Sequence, residues 1–148
     1  EDFTDAQVAA NYDYYEPRCI HESSLSPSVH AIVAQRLRRD QAAADFFRFA
    51  TRLDLDNYNR NTTDGLHLTS IAAAWVTIVF GFGGLHTEEG VLCLAPHLPE
   101  GWVRYTFRFL AGDGVVLANV DQGGVTLSML TGTSARVKLF GTFKEITA

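Results

Sequence analysis

Two periodicities divide the chain. Up to about Leu85, apolar residues recur at intervals of three and four; from about Gly90 they alternate with polar ones. Helices should therefore give way to strands. The first helix is predicted to open at Ser26-Pro27, with serine as N-cap and proline in the first helical position, where its missing N–H removes no bond. Val29, Ile32, Val33 and Leu37 would form its apolar face, with Gln35, Arg36 and Arg39 opposite. Asp40 is placed to cap a second helix whose buried stripe is Ala43, Phe46, Phe47 and Ala50, and the short link implies an antiparallel hairpin. After a polar loop from Asp54 to Gly65, a third helix is expected from about Leu66 to Val79 or Phe80. From Ile71 through Phe82 only Thr77 and Gly81 are not plainly apolar, so this helix should be covered nearly all round by something the chain does not obviously supply. The run Gly81-Phe82-Gly83-Gly84 should stop it.

Beyond that run, Val103, Tyr105, Phe107 and Phe109 point one way, and Arg104, Thr106 and Arg108 the other. Val115 to Val120, Val125 to Leu130 and Ala135 to Phe140 read as further strands. The turns between them are Gly112-Asp113-Gly114, Gln122-Gly123-Gly124 and Thr131-Gly132-Thr133. The expected fold class is α+β, helices followed by a small antiparallel sheet or sandwich.

Composition narrows the partners. At 148 residues with 47% hydrophobic and 20% charged, the chain can bury a core and is no disordered segment. The net charge of −5 points away from nucleic acid. The longest apolar stretch, Ser70 to Gly84, falls short of a membrane span. Cys19 and Cys93 show no metal-ligand, redox or disulfide spacing, and no metal is expected. No secretory leader is evident. The first residue is Glu1 rather than Met, and the expected reason is that a longer polypeptide precedes it.

Two stretches could carry chemistry. His21-Glu22-Ser23-Ser24-Leu25-Ser26-Pro27 gathers three hydroxyls where a helix begins, and the unpaired N–H groups there favour an anion. The plainer reading is a capped helix start with ordinary turn serines. Asp64-Gly65-Leu66-His67-Leu68-Thr69-Ser70 adds an imidazole at a second helix start; its plainer reading is Asp64 as cap and His67 as a hydrogen-bonded, partly buried histidine. If the two starts meet, they would suit one oxyanion such as phosphate. Other motifs fail. His21-Glu22 lacks the second histidine of a zinc-protease helix. The loop from Asp54 has calcium-like carboxylate spacing, but Asn59 replaces the glycine and Gly65 the bidentate glutamate, so its side chains should bond the backbone instead. The tyrosines of Asn11-Tyr12-Asp13-Tyr14-Tyr15-Glu16-Pro17 could line a sugar site, although aromatic packing is their commoner role.

These residues carry a resemblance. The tyrosine run, the His21–Pro27 stretch, Ala50-Thr51-Arg52-Leu53-Asp54-Leu55-Asp56-Asn57-Tyr58, the Asp64–Ser70 stretch and Ala95-Pro96-His97-Leu98-Pro99-Glu100-Gly101-Trp102 are, in this order, similar to the C-terminal part of glycoside hydrolase family 65. That family holds inverting disaccharide phosphorylases acting on maltose, trehalose, kojibiose and their relatives. The resemblance implies that residues 1–86 are the last helices of an (α/α)6 catalytic barrel and that 87–148 form a C-terminal β-sheet domain. It implies that phosphate, as co-substrate with no further cofactor, is held by Ser23, Ser24 and His67, with Ser70 and Thr69 beside them. A glutamate general acid is expected upstream of Glu1, leaving the chain inert alone. The partners implied are the rest of the same polypeptide and a small sugar, in a cytoplasmic homo-oligomer. Two alternatives stand beside this: a family hydrolase in which Glu22 activates water, and a non-catalytic carbohydrate-binding or scaffolding module.

Overall fold

A computed structural model describes residues 3–148, arranged as two units that divide between Gly81 and Phe82. The first unit is helical. It contains α1 (Asp5–Tyr15), α2 (Ser26–Arg36), α3 (Asp40–Arg52) and α4 (Leu68–Val76). The apolar periodicity does not announce α1, because that helix buries only Tyr12. Its signal is polar: Thr4 and Gln7 form a reciprocal capping box, in which the Gln7 N–H donates to Thr4 Oγ1 and the Thr4 N–H to Gln7 Oε1. Arg36 then reaches Asp5 at 2.9 Å and Arg39 reaches Asp13 at 2.5 Å, tying α1 to the end of α2.

Both expected caps are corrected. Ser26 is the first residue of α2, Leu25 is its N-cap, and the Ser26 hydroxyl bonds His21 instead. Asp40 likewise lies inside α3, with Arg39 at the cap. The face that α2 buries also differs from the apolar stripe. Pro27, Ser28, Ala31, Ala34 and Gln35 are buried, whereas Val29 is exposed. In α3, Ala43 and Ala50 are buried and Phe46 and Phe47 only partly so. Small side chains let two helices approach closely, so alanine, not valine or phenylalanine, marks this seam.

The last helix starts at Leu68, since His67 takes the N-cap position. It runs past Phe80 and stops within the Gly81–Gly84 run, as those glycines predict. From Thr77 to Phe82 it continues as a π-helix. The change begins where the Thr77 hydroxyl donates to the Ala73 carbonyl at 2.9 Å while the Thr77 N–H is shared between Ala73 and Ala74. Leu68, Ile71, Ala72 and Trp75, spaced i, i+3, i+4 and i+7, are all exposed. The expectation that this chain leaves the helix uncovered is met. No helix among the described residues is long and apolar enough to cross a membrane.

The second unit holds seven strands: β1 (His86–Glu88), β2 (Val91–Leu94), β3 (Arg104–Ala111), β4 (Gly114–Asp121), β5 (Gly124–Thr131), β6 (Ser134–Leu139) and β7 (Thr142–Thr147). One sheet has the order β1-β2-β6-β7 and the other β3-β4-β5. Every pair is antiparallel except β2 with β6. Alternation along β3 buries Tyr105, Phe107, Phe109 and Ala111, as the pattern predicts. Val116, Ala118, Val120, Ala135, Val137 and Ile146 complete the interior of this unit. Tyr105 closes one end, its hydroxyl within 2.7 Å of the Phe82 carbonyl and 3.0 Å of that of His97, and burial raises its pKa. At the other end Asp113 gathers Thr133 Oγ1 (2.6 Å), Thr133 N–H (2.9 Å) and Ser134 N–H (3.2 Å), which holds its carboxyl down at about 2. A Cβ on Gly112 would lie 2.2 Å from the Ser134 carbonyl oxygen, so only glycine allows this approach.

Candidate functional site

The start of α4 is organised by a residue thirteen positions upstream. Asp54 Oδ2 accepts the backbone N–H of His67 at 2.8 Å, and Asp54 Oδ1 faces His67 Nδ1 at 2.5 Å. A carboxylate only accepts, so Nδ1 carries the proton and Nε2 is the nitrogen left to meet a ligand. The bond from the His67 ring holds the Asp54 carboxyl below its ordinary range. This grip replaces the expected cap: Asp64 lies in a short 3-10 turn, Thr62–Asp64, and makes no side-chain bond to α4. The loop between them is held as its composition predicts, with Asn57 Oδ1 accepting from the Thr62 N–H (3.2 Å) and hydroxyl (2.9 Å).

The start of α2 is built differently. Glu22 and Ser23 are exposed and Ser24 is partly buried. Ser23 Oγ accepts the Leu25 N–H at 3.4 Å, and the Ser23 carbonyl accepts the Ser26 N–H at 3.1 Å. Both bonds leave the Ser23 hydroxyl proton available. His21 is held at φ 51°, a left-handed conformation that a non-glycine side chain adopts only under constraint. Its Nδ1 lies 2.8 Å from Ser26 Oγ, and its ring packs against His30 (4.6 Å between centroids) and Phe46 (5.0 Å). Burial, then the neighbouring His21, lowers the pKa of His30.

The two starts lie at one end of the helical unit. His30 meets Phe46 at 5.3 Å, and Gln35 Nε2 donates to Asp40 at 3.4 Å, so α2 and α3 run antiparallel. Continuing that pairing brings Pro27 near Ala50. Ser70, in the first turn of α4, donates its hydroxyl proton to the Ala50 carbonyl at 3.1 Å. Ala50 is among the last four residues of α3, whose carbonyls lack an intrahelical partner, so the bond satisfies an otherwise orphaned acceptor. The structure thus groups His67 and Ser70 with Asp54, and leaves Thr69 exposed beside them. Among the described residues no hydrogen bond joins this group to Ser23 or Ser24. A cavity of about 100 Å³ lies against Asp54 and Ser70. It is too small for a disaccharide, whose pockets are usually roughly 300–1,000 Å³.

Asp54, His21 and His30 escape a reading by sequence spacing. Asp54 acts across thirteen residues, and His21 acts through a backbone conformation that no side-chain pattern encodes. The tyrosines separate: Tyr12 is buried beside His30 and under the Arg39 guanidinium, whereas Tyr14 and Tyr15 are exposed and packed edge to face.

Comparison with known proteins covers nearly the whole chain. Residues 1–76 match the glycosyl hydrolase family 65 central catalytic domain, and residues 85–143 match the C-terminal domain of the same family. A maltose phosphorylase of Bacillus subtilis is 39% identical over 93% of this chain and 18% of its own. An alpha,alpha-trehalose phosphorylase of Geobacillus stearothermophilus is 37% identical over 99% of this chain and 19% of its own. A solved structure from the human microbiome, assigned as a kojibiose phosphorylase, superposes with a TM-score of 0.91 at 44% identity, covering 99% of this chain and 22% of that one. The chain spans about a fifth of the length of the curated relatives it matches. A match over both segments, in order, shows that the chain belongs to glycosyl hydrolase family 65.

Proposed function

We propose that the protein of which this chain is a part cleaves an α-glucosidic disaccharide by inverting phosphorolysis, and that this chain supplies the phosphate-binding residues. The observation that carries the reading is the Asp54–His67 pair at the start of α4, which engages Nδ1 and leaves Nε2 as the ring nitrogen able to meet an anion. Similarity to phosphorylases of maltose and of trehalose supports it.

In this reaction an acid outside the chain protonates the glycosidic oxygen as its bond to the anomeric carbon breaks. A phosphate oxygen forms the new bond from the opposite face, giving β-glucose 1-phosphate and the free second sugar. A hydrolase needs a carboxylate to activate water; phosphate is already a nucleophile and needs only to be held and oriented. Ser23, Ser24 and Thr69 hydroxyls and the His67 imidazole supply that hold. When protonated, His67 donates through Nε2 to a phosphate oxygen, with Asp54 compensating the imidazolium charge. Ser70 serves as a positioning residue, since its one proton goes to Ala50.

The test is product analysis on the full-length protein with each candidate disaccharide, with and without phosphate. Sugar phosphate formed only when phosphate is present supports the reading. Free glucose released at the same rate in its absence, with the rate falling in Glu22→Gln, would establish the hydrolase instead.

A further inference from the structure

The β1–β2 hairpin carries a constellation that the phosphate site does not use. In its register His86 stands directly opposite Cys93. Cross-strand partners project from the same face, and so does Glu88, two residues beyond His86. A ring nitrogen of His86, a carboxylate oxygen of Glu88 and Sγ of Cys93 consequently lie within 4.8 Å of one another. The ring is also oriented. His86 Nδ1 lies 2.9 Å from the Gly84 carbonyl, which can only accept, so the proton is on Nδ1 and the lone pair on Nε2. Metal-binding histidines are commonly fixed in this way, through a backbone carbonyl on the other nitrogen. Spacing along the chain gives Cys93 no metal-ligand partners; the grouping arises across a hairpin instead.

We propose that His86, Glu88 and Cys93 form a binding site for a zinc-class divalent cation on the C-terminal unit, with water as the fourth ligand. One sulfur, one imidazole nitrogen and one carboxylate oxygen are a borderline-soft donor set that selects zinc over magnesium or calcium. Tetrahedral bonds of about 2.0–2.3 Å set ligand atoms roughly 3.5 Å apart, so the three must close by about 1 Å. The exposed side chains of His86 and Glu88 can make that movement, while Cys93 stays buried in β2. Binding displaces the Cys93 thiol proton into solvent, which makes affinity rise with pH. Lys138 is the competing cation. Its Nζ lies 3.6 Å from Glu88 Oε2, beyond ordinary hydrogen-bond length, and 5.6 Å from the centre of the Phe143 ring. A bound cation would clip β1 to β2 at the edge of the four-stranded sheet.

The probe is Co2+, followed by Zn2+ competition, on the intact full-length protein. The expected result is a thiolate-to-cobalt charge-transfer band of one equivalent, lost in Cys93→Ser, kept in Cys19→Ala, and requiring at least about tenfold more metal in His86→Ala. Lys138→Gln should tighten binding, and Zn2+ should raise the melting temperature of the parent but not of His86→Ala. If Cys93→Ser fails to fold, His86→Ala and Glu88→Gln decide, both at exposed positions. Binding unaltered in these two, a band that follows Cys19, or no band at all would overturn the proposal.

Discussion

Ser70→Ala separates a structural hydroxyl from a phosphate ligand. Ser70 is 2% exposed, and its hydroxyl donates to the carbonyl of Ala50, itself buried. Removing it forfeits one neutral hydrogen bond and leaves a carbonyl at the end of α3 without a partner, together costing about 1–2 kcal/mol. The melting temperature of the variant should fall by a few degrees. Phosphate binding should hardly change, because the proton that a phosphate oxygen would need is already committed. The assay is phosphorolysis by the full-length variant at varied phosphate, alongside its thermal denaturation. Unaltered kcat and a phosphate KM within about twofold of the parent, with a lowered melting temperature, are expected. If the hydroxyl donated to phosphate instead, the lost charge-assisted bond of about 1.5–3 kcal/mol would raise KM by roughly 10- to 150-fold. An increase of that size with unchanged melting would refute the assignment.

Asp54→Asn replaces one of the two accepting oxygens with an NH2 group that faces a His67 donor, so phosphate KM should rise by about tenfold or more while the disaccharide KM moves little; equal changes in both would remove His67 from the phosphate site. Ser23→Ala and Ser24→Ala should each raise phosphate KM in steady-state assays without lowering thermal stability, since Ser23 is exposed and Ser24 only partly buried. Asp113 has a pKa held down to about 2, so its contribution to stability is complete above about pH 4 and lost as pH falls towards 2; Asp113→Asn should flatten that part of an acid-unfolding curve followed by circular dichroism. The 148-residue chain on its own should self-associate through Leu68, Ile71 and Trp75, which are 72%, 55% and 53% exposed, and Ile71→Ser with Trp75→Ser should shift its sedimentation towards monomer.

The parts of the fold legible in the sequence are those where side-chain periodicity reports burial on one face. Strands β3, β4 and β6 alternate because one face of each carries buried residues and the other exposed or half-buried ones, while β5 alternates only between exposed and half-buried positions. The apolar surroundings of α4 were likewise visible, and they correctly pointed to a surface that this chain does not cover. The missed elements share a reason. Helix α1 is fixed by Thr4, Gln7 and two arginine–aspartate pairs rather than by an apolar stripe. Strands β1 and β2 are three and four residues long, too short to show a period, and β7, which the sequence pattern also does not announce, buries only Ile146. At the candidate site, His67 could be singled out by its place near a helix start, but the carboxylate that orients it could not. Serine before proline usually caps a helix, but Ser26 Oγ pairs instead with His21 Nδ1, which a turn with positive φ brings to it.

The π-helical segment from Thr77 to Phe82 works like a slipped gear tooth within the final helix. Each residue there advances the spiral by less than it would upstream, and over the segment the lag amounts to about one residue, or roughly 100° of rotation. Upstream, the outward row is Leu68, Ile71 and Trp75; downstream, Val79 is shielded and Gly81 faces Ile32, whose Cγ1 lies 3.5 Å from where a Cβ would stand. The six residues from Thr77 to Phe82 therefore turn the helix about as far as five regularly wound ones. Deleting one of them, such as Ile78, would restore uniform winding and still leave Gly81 against Ile32, whereas inserting a further residue would turn Gly81 away and press a side chain into that space.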